Sequence, residues 1–214
     1  TGTGEPGVRV SLANTRPRRP KMVYGRHLRT LLVGEGDFSF AVALACDVGS
    51  AENMVATSHD DLRTLGTKYP DKAEGNIGML KKLGIRGVLH DIDARELHQS
   101  KRLKALSDRF DRVIFNFPHV GGGTLEAVEE NRTLLIDFLI SAAQVLDPRS
   151  GCVLITLRNS PFYLSWDVPS LENRVAPLRF AGSEPFDARR FLNYVPVRTD
   201  PSRARGEAPD SRDA

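Results

Sequence analysis

Four short segments of this chain place residue types capable of chemistry at the ends of apolar runs. The first is Leu31-Leu32-Val33-Gly34-Glu35-Gly36-Asp37-Phe38-Ser39-Phe40, an apolar strand running into a glycine turn that opens a helix. Glycine lets the backbone turn tightly and approach a ligand closely, and a helix start presents free N–H groups and a partial positive charge. Such a turn can cradle a nucleotide. It departs from the dinucleotide fingerprint GxGxxG, because Ser39 stands where the third glycine would be. The second segment, Thr57-Ser58-His59-Asp60, sets a carboxylate beyond the next apolar run, where doubly wound folds hydrogen-bond a ribose. Asp60 or Asp61 can serve there, and either can equally cap the helix that follows. The third, Leu89-His90-Asp91-Ile92-Asp93-Ala94, puts an acid beside a small residue, where an adenine amino group could be held. His90, Asp91, Asp93 and His98 lack the spacing of a structural zinc site, so no metal is expected.

The fourth segment is the sharpest. Asp111-Arg112-Val113-Ile114-Phe115 runs into Asn116-Phe117-Pro118-His119-Val120-Gly121-Gly122-Gly123. An amide, an aromatic ring and a proline leave this strand at the same edge as the glycine turn, and the proline fixes the backbone so that Asn116 and His119 can face one site. The segment suits a flat group held against a cofactor, with the amide oxygen and backbone carbonyls receiving a ring N–H. A proline-stopped strand with a loose glycine loop would leave Asn116 as an unexplained polar residue on an apolar strand.

The elements that must position these residues alternate between short apolar runs and longer segments of helical period, the pattern of an α/β domain with a mostly parallel sheet. Seven strands are expected, at Arg29 to Val33, Asn53 to Ser58, Gly87 to His90, Asp111 to Phe115, Gly151 to Leu157, Leu178 to Ser183 and Phe191 to Val197. Helices are expected at Ser39 to Asp47, Asn76 to Leu83, Arg95 to Leu106 and Leu125 to Leu146. In the last of these Val128, Leu135, Phe138, Leu139, Ala142 and Leu146 share one face.

The chain has 214 residues, 40% hydrophobic and 27% charged, with a mean hydropathy of -0.30, which suits one soluble globular domain. Its apolar runs, such as Leu134 to Ile140, are too short to span a bilayer, so no membrane partner is expected. Cys46 and Cys152 lie in apolar segments and suit buried thiols in a reducing compartment. The net charge of +3 is uneven. Arg9, Arg16, Arg18, Arg19, Lys21, Arg26 and Arg29 stand without an acid among them, and the remainder is slightly acidic. Residues 1–28 are therefore expected to be a flexible basic arm that meets a polyanion first, or the remnant of an Arg-rich targeting peptide. The tail 200–214, lacking large apolar residues, is expected to be disordered.

VGEGDFSFAVALA, VATSHD, DIDA, FDRVIFNFPHVGGG and ENRTLLIDFLISAAQVL together resemble the eukaryotic family of large-subunit ribosomal RNA uridine-N3 methyltransferases. The resemblance runs from about Arg29 to Thr199, and GEGDFSF and NFPHVG are its most specific pieces. It implies an α/β, Rossmann-like seven-stranded methyltransferase sheet with helices on both faces, S-adenosylmethionine as methyl donor and ribosomal RNA or a pre-ribosomal particle as partner. Position by position it implies Gly34, Glu35, Gly36, Asp37, Phe38 and Ser39 around the methionine part and ribose. Asp60 would take the ribose hydroxyls, with Ser58 also at the cofactor, Asp93 with Ala94 the adenine, and Asn116, Pro118 and His119 the target base, Asn116 contacting the cofactor as well. His119 is a candidate to remove the acceptor's proton or to orient the loop, and no Cys in the loop supports a covalent mechanism. The family implies nucleolus or nucleus, while the arm leaves a mitochondrial ribosome open. The alternative is a ribosome-assembly or ribosome-bound factor that keeps the fold without turnover. Around Tyr194 the chain lacks the proline and glycine that the family usually carries close to that tyrosine.

Overall fold

The structure, a computed structural model, describes residues 7–14, 23–120, 125–192 and 194. Seven strands form one sheet: β1 (Gly7–Ala13), β2 (Thr30–Val33), β3 (Met54–Thr57), β4 (Gly87–Leu89), β5 (Arg112–Asn116), β6 (Cys152–Arg158) and β7 (Arg179–Phe186). Their order is β4-β3-β2-β5-β6-β1-β7. The first five neighbours in that order are parallel, and β1 runs antiparallel to both β6 and β7.

Strand side chains alternate between faces, so each strand feeds two cores. Leu31, Val33, Val55, Val113 and Phe115 pack with α4 (Lys101–Leu106) and α5 (Leu125–Val145) through Leu103, Leu135, Phe138 and Leu139. Leu32, Met54, Ala56, Ile114 and Leu154 pack on the other face with α1 (Ser39–Val48), α2 (Leu62–Lys68) and α3 (Lys72–Lys82) through Leu44, Leu65, Ile77 and Leu80. This is the Rossmann-like α/β sheet, covered on both faces, that the sequence leads one to expect. Strand order reverses between β2 and β5, so the loops leaving these two strands part and open a crevice at the carboxyl edge.

The seven strands are not the seven expected. Gly7–Ala13, read as part of a flexible arm, is an inner strand of the sheet. Val10 and Leu12 are buried in one core, and on the opposite face Arg9 lies over the rings of Tyr24 and Phe186, 5.0 and 4.5 Å from their centroids. A guanidinium stacked between rings and 4.0 Å from Glu184 does not read as a solvated charge. Arg16, Arg18, Arg19 and Lys21 of the arm lie outside the described residues, as do 195–197 and the tail 200–214. At the other end, Phe191 and Tyr194 make no strand; their rings pack edge-on against Phe40 at 5.0 and 5.1 Å. The helix expected over Arg95 to Leu106 is split into a 3-10 turn, Ala94–Gln99, and α4, because Ser100 breaks the chain and caps α4 by accepting the Leu103 N–H.

Candidate functional site

Gly34 follows β2 with φ 66°, and a Cβ there would stand 2.6 Å from a ring carbon of Phe115 on β5. Only glycine lets the turn lie this close to the neighbouring strand. The Glu35 N–H donates to the Thr57 carbonyl at 2.8 Å, tying the turn to β3, and the Glu35 carboxylate accepts the Ala41 N–H of α1 at 3.1 Å. Although Glu35 as a residue is half-buried, enclosure of its carboxyl group pushes the pKa up to about 8, against the Ala41 hydrogen bond and with help from Asp37. Asp37 is buried. One of its oxygens accepts from the Ser39 N–H at 3.0 Å and the Ser39 hydroxyl at 2.6 Å, and the other meets Lys72 Nζ at 2.6 Å. Phe38 takes a left-handed backbone, φ 60°, that is rare outside glycine, and the burial of its whole ring offsets the strain.

The two acids after β3 take different roles. Asp61 caps α2 by accepting the Thr64 N–H at 2.7 Å, while Asp60 turns to the crevice, its oxygens 2.8 and 2.9 Å from Lys68 Nζ. On β5, the Asn116 side-chain oxygen accepts the Thr156 hydroxyl of β6 at 2.7 Å, so the amide oxygen expected to receive a ligand N–H is already engaged. Phe117 leaves the strand at φ 52°, its N–H donating to the Thr156 carbonyl at 2.7 Å.

A cavity in the crevice brings together Gly34, Glu35, Gly36, Asp37 and Ser39 of the turn, Ser58 and Asp60 after β3, and Asn116 after β5. Phe38, Asp93, Ala94, Pro118 and His119 do not line it. The Asp93 carboxylate accepts the Arg95 N–H at 2.8 Å and pairs with the Arg95 guanidinium at 2.6 Å, which holds it below the usual carboxylate range. Ala94 and Pro118 are buried. His119 is half-buried, its ring 6.0, 5.9 and 5.9 Å from those of Phe162, Tyr163 and Trp166; burial and then Arg158 lower its pKa, keeping it neutral.

Phe40, His59, Lys68, Tyr69, Phe117 and Tyr194 also line the cavity, and sequence reasoning did not assign them to it. His59 and Phe117 sit at strand exits already singled out and were within reach of that logic. Lys68 and Tyr69 end α2, and Tyr194 arrives from the far end of the chain, with no local signal. Burial, and then Glu35 and Asp37, push the Tyr194 phenol well above its ordinary range. With three carboxylates, one lysine and several rings, the wall suits a cationic ligand carrying a diol and a flat base better than a pyrophosphate. Among the described residues no group of His, Cys, Asp or Glu is placed to hold a metal, and no helix is long and apolar enough to cross a membrane.

Residues 31–198 match the family described as "rRNA (uridine-N3-)-methyltransferase BTM5-like". The chain is 39% identical over 155 residues to Heavy metal-associated isoprenylated plant protein 41 of Arabidopsis thaliana, covering 71% of this chain and 29% of that protein. It is 32% identical over 181 residues to Arabidopsis thaliana protein At4g26485, covering 82% and 84% of the two chains. To the 25S rRNA (uridine(2634)-N(3))-methyltransferase of Saccharomyces cerevisiae it is 29% identical over 187 residues, covering 74% of this chain and 55% of the yeast protein. It thus spans less than a third of the first of these relatives and about half of the yeast enzyme. The chain belongs to the rRNA (uridine-N3-)-methyltransferase BTM5-like family.

Proposed function

We propose, starting from that membership, that the chain is an S-adenosylmethionine-dependent methyltransferase acting on N3 of a uridine in large-subunit ribosomal RNA, in the nucleolus or nucleus. The observation that carries the reading is the carboxylate- and ring-lined cavity where β2 and β5 part, bordered by the Asn116 exit. The methyltransferase domain in this reading extends beyond the expected residues 29–199 to take in β1, Gly7–Ala13, as an inner strand of its sheet.

Residues Gly34 to Ser39 hold the methionine part of the donor. The enclosed Glu35 carboxyl becomes a counter-charge for its ammonium group, and Gly34 lets the turn sit close against Phe115 of β5. Asp60, steadied by Lys68, accepts from the ribose hydroxyls. The adenine assignment to Asp93 and Ala94 has less support, since Arg95 holds the Asp93 carboxylate and neither residue lines the cavity. When bound, the donor supplies an electrophilic methyl on a sulfonium: the C–S bond breaks as the N–C bond forms, and the acceptor nitrogen gives up its proton. The chain's own contribution is alignment. Thr156 fixes the Asn116 amide at the end of β5, which sets the acceptor against the donor cavity. Of the two roles open to His119, orientation of the exit has the better support, because its ring is packed among three others. The proton then passes to solvent.

Calorimetry with S-adenosylmethionine, paired with methylation of large-subunit rRNA, tests this. Wild type is expected to bind and methylate, Gly36→Asp to lose binding, and Asn116→Ala to keep binding while methylation falls by about 100-fold or more. A wild type that binds no donor would end the enzymatic reading in favour of a ribosome-assembly role.

A further inference from the structure

Next to the donor cavity, on the same edge of the sheet, lies a group of rings that the reading above uses only to hold His119. β5 and β6 are parallel and Asn116 pairs with Thr156, so the chain leaving each strand emerges side by side. The β5 exit carries His119. The β6 exit carries the exposed Arg158 and then α6 (Pro161–Leu164), which presents Phe162 and Tyr163. Trp166 is fully buried beneath this group, whereas His119, Phe162 and Tyr163 each keep part of their surface exposed. Tyr163 lies 4.9 Å from Trp166 and 5.9 Å from His119, centroid to centroid, and Arg158 is close enough to both His119 and Tyr163 to perturb their ionisation. Val120 is tied to α5 through its N–H and Asn131 at 3.0 Å, and the Arg132 guanidinium holds the Trp166 carbonyl, so both exits are braced against the same helix.

We infer that the partly exposed faces of Tyr163 and Phe162, with His119 and Arg158, form a stacking platform for an unpaired nucleobase of the RNA substrate. Rings of this kind stack a base whatever its edge, and a guanidinium beside them meets its phosphate or adds to the stack. The neutral His119 contributes surface without fixed charge. N3 of a paired uridine is occupied by its partner, so the acceptor must present itself unpaired, and a platform adjoining Asn116 gives an unpaired base a surface to rest on. This rests on the functional reading above and deepens it by assigning the acceptor side to the β6 exit, whose rings otherwise only pack around His119.

The test is binding of single-stranded oligouridylate to the whole chain, with an RNA duplex of equal length as control and S-adenosylmethionine calorimetry on every variant. Wild type is expected to prefer the single strand. Tyr163→Leu should weaken single-strand binding by about tenfold, Tyr163→Phe should restore it, and Arg158→Gln should weaken it and lower the salt slope by about one. Donor affinity should be unchanged in all three. Equal binding of duplex and single strand, or Tyr163→Leu binding as wild type, would overturn the platform. If the variants behave as expected but wild-type protein methylates no rRNA, the platform stands and the enzymatic reading falls.

Discussion

At the amino edge of the sheet, Arg29 donates to Asp111 from its backbone and guanidinium at 2.8 to 3.0 Å and reaches Asp147 at 3.4 Å. Arg112, buried, donates to the carbonyls of Val23, Asp111 and Ser150. At the carboxyl edge, the Glu35 carboxylate has a single backbone N–H as its recorded donor, and Asp60 one lysine at the cavity wall. Both edges use carboxylates and basic side chains, yet the first matches each against the chain itself, while at the second Asp37 is held by Ser39 and Lys72 but the enclosed Glu35 carboxyl has one backbone N–H. A carboxyl whose pKa rises to about 8 is a group that the fold alone leaves poorly solvated, and a cationic ligand would relieve it. On the function proposed above, the amino edge serves stability and the carboxyl edge binding.

The largest effect that could sharpen this contrast is expected at Gly34. Gly34→Val places a branched side chain at φ 66° and against Phe115, at a cost of about 2 to 4 kcal/mol from overpacking and left-handed backbone. Denaturant unfolding should show the loss, and calorimetry should show no donor binding. Next comes Glu35. Its folded pKa, about 8, lies above the ordinary 4.5, so between those values the folded state holds a proton that the unfolded state has lost. Stability therefore falls as pH rises through that window, by at most about 1.4 kcal/mol per pH unit. Glu35→Gln should remove this slope in unfolding midpoints measured from pH 5 to 8; an unchanged slope would show that the carboxyl edge is no less satisfied than the amino edge.

The smallest of the three is Asp111→Ala, which should cost about 1 to 2 kcal/mol, reduced because Arg29 is partly exposed, and should leave donor affinity as it was. Burial alone would raise the Asp111 carboxyl, but the Arg29 hydrogen bonds outweigh it and hold it below the usual range. Its contribution is therefore present at neutral pH and lost on acidification through the folded pKa. A fall in donor affinity on this substitution would break the separation between the edges.

Much of the carboxyl edge was legible because its signals are local: an apolar run, then glycines or an acid or an amide, each within a few residues. Gly34, Glu35, Gly36, Asp37, Ser39, Asp60 and Asn116 could be placed together from strand ends alone. The same local logic failed at Asp93, where a neighbour two residues on, Arg95, takes the carboxylate. β1 was hidden by charge. Val8, Val10 and Leu12 alternate as a strand should, but Arg9 between them read as solvated, and its rings come from Tyr24 and Phe186, which no local window contains. Tyr194 was out of reach for the same reason, since its place beside the glycine turn depends on Phe40 and Phe191 meeting across the sheet.

The placement of β1 bears on how the chain can be made. β7 joins the sheet only through β1, and Gly7 pairs with Arg158 on one side and Phe186 on the other. During synthesis the five parallel strands can assemble as they emerge, but Gly7–Ala13 has no β6 to pair with until Cys152–Arg158 has been made. These seven residues wait as an unpaired, strand-forming segment through that interval, and the closure joins segments far apart in sequence. Such contacts of long sequence separation are the slow ones. Docking of β1 between β6 and β7 is accordingly expected to be a slow step of folding.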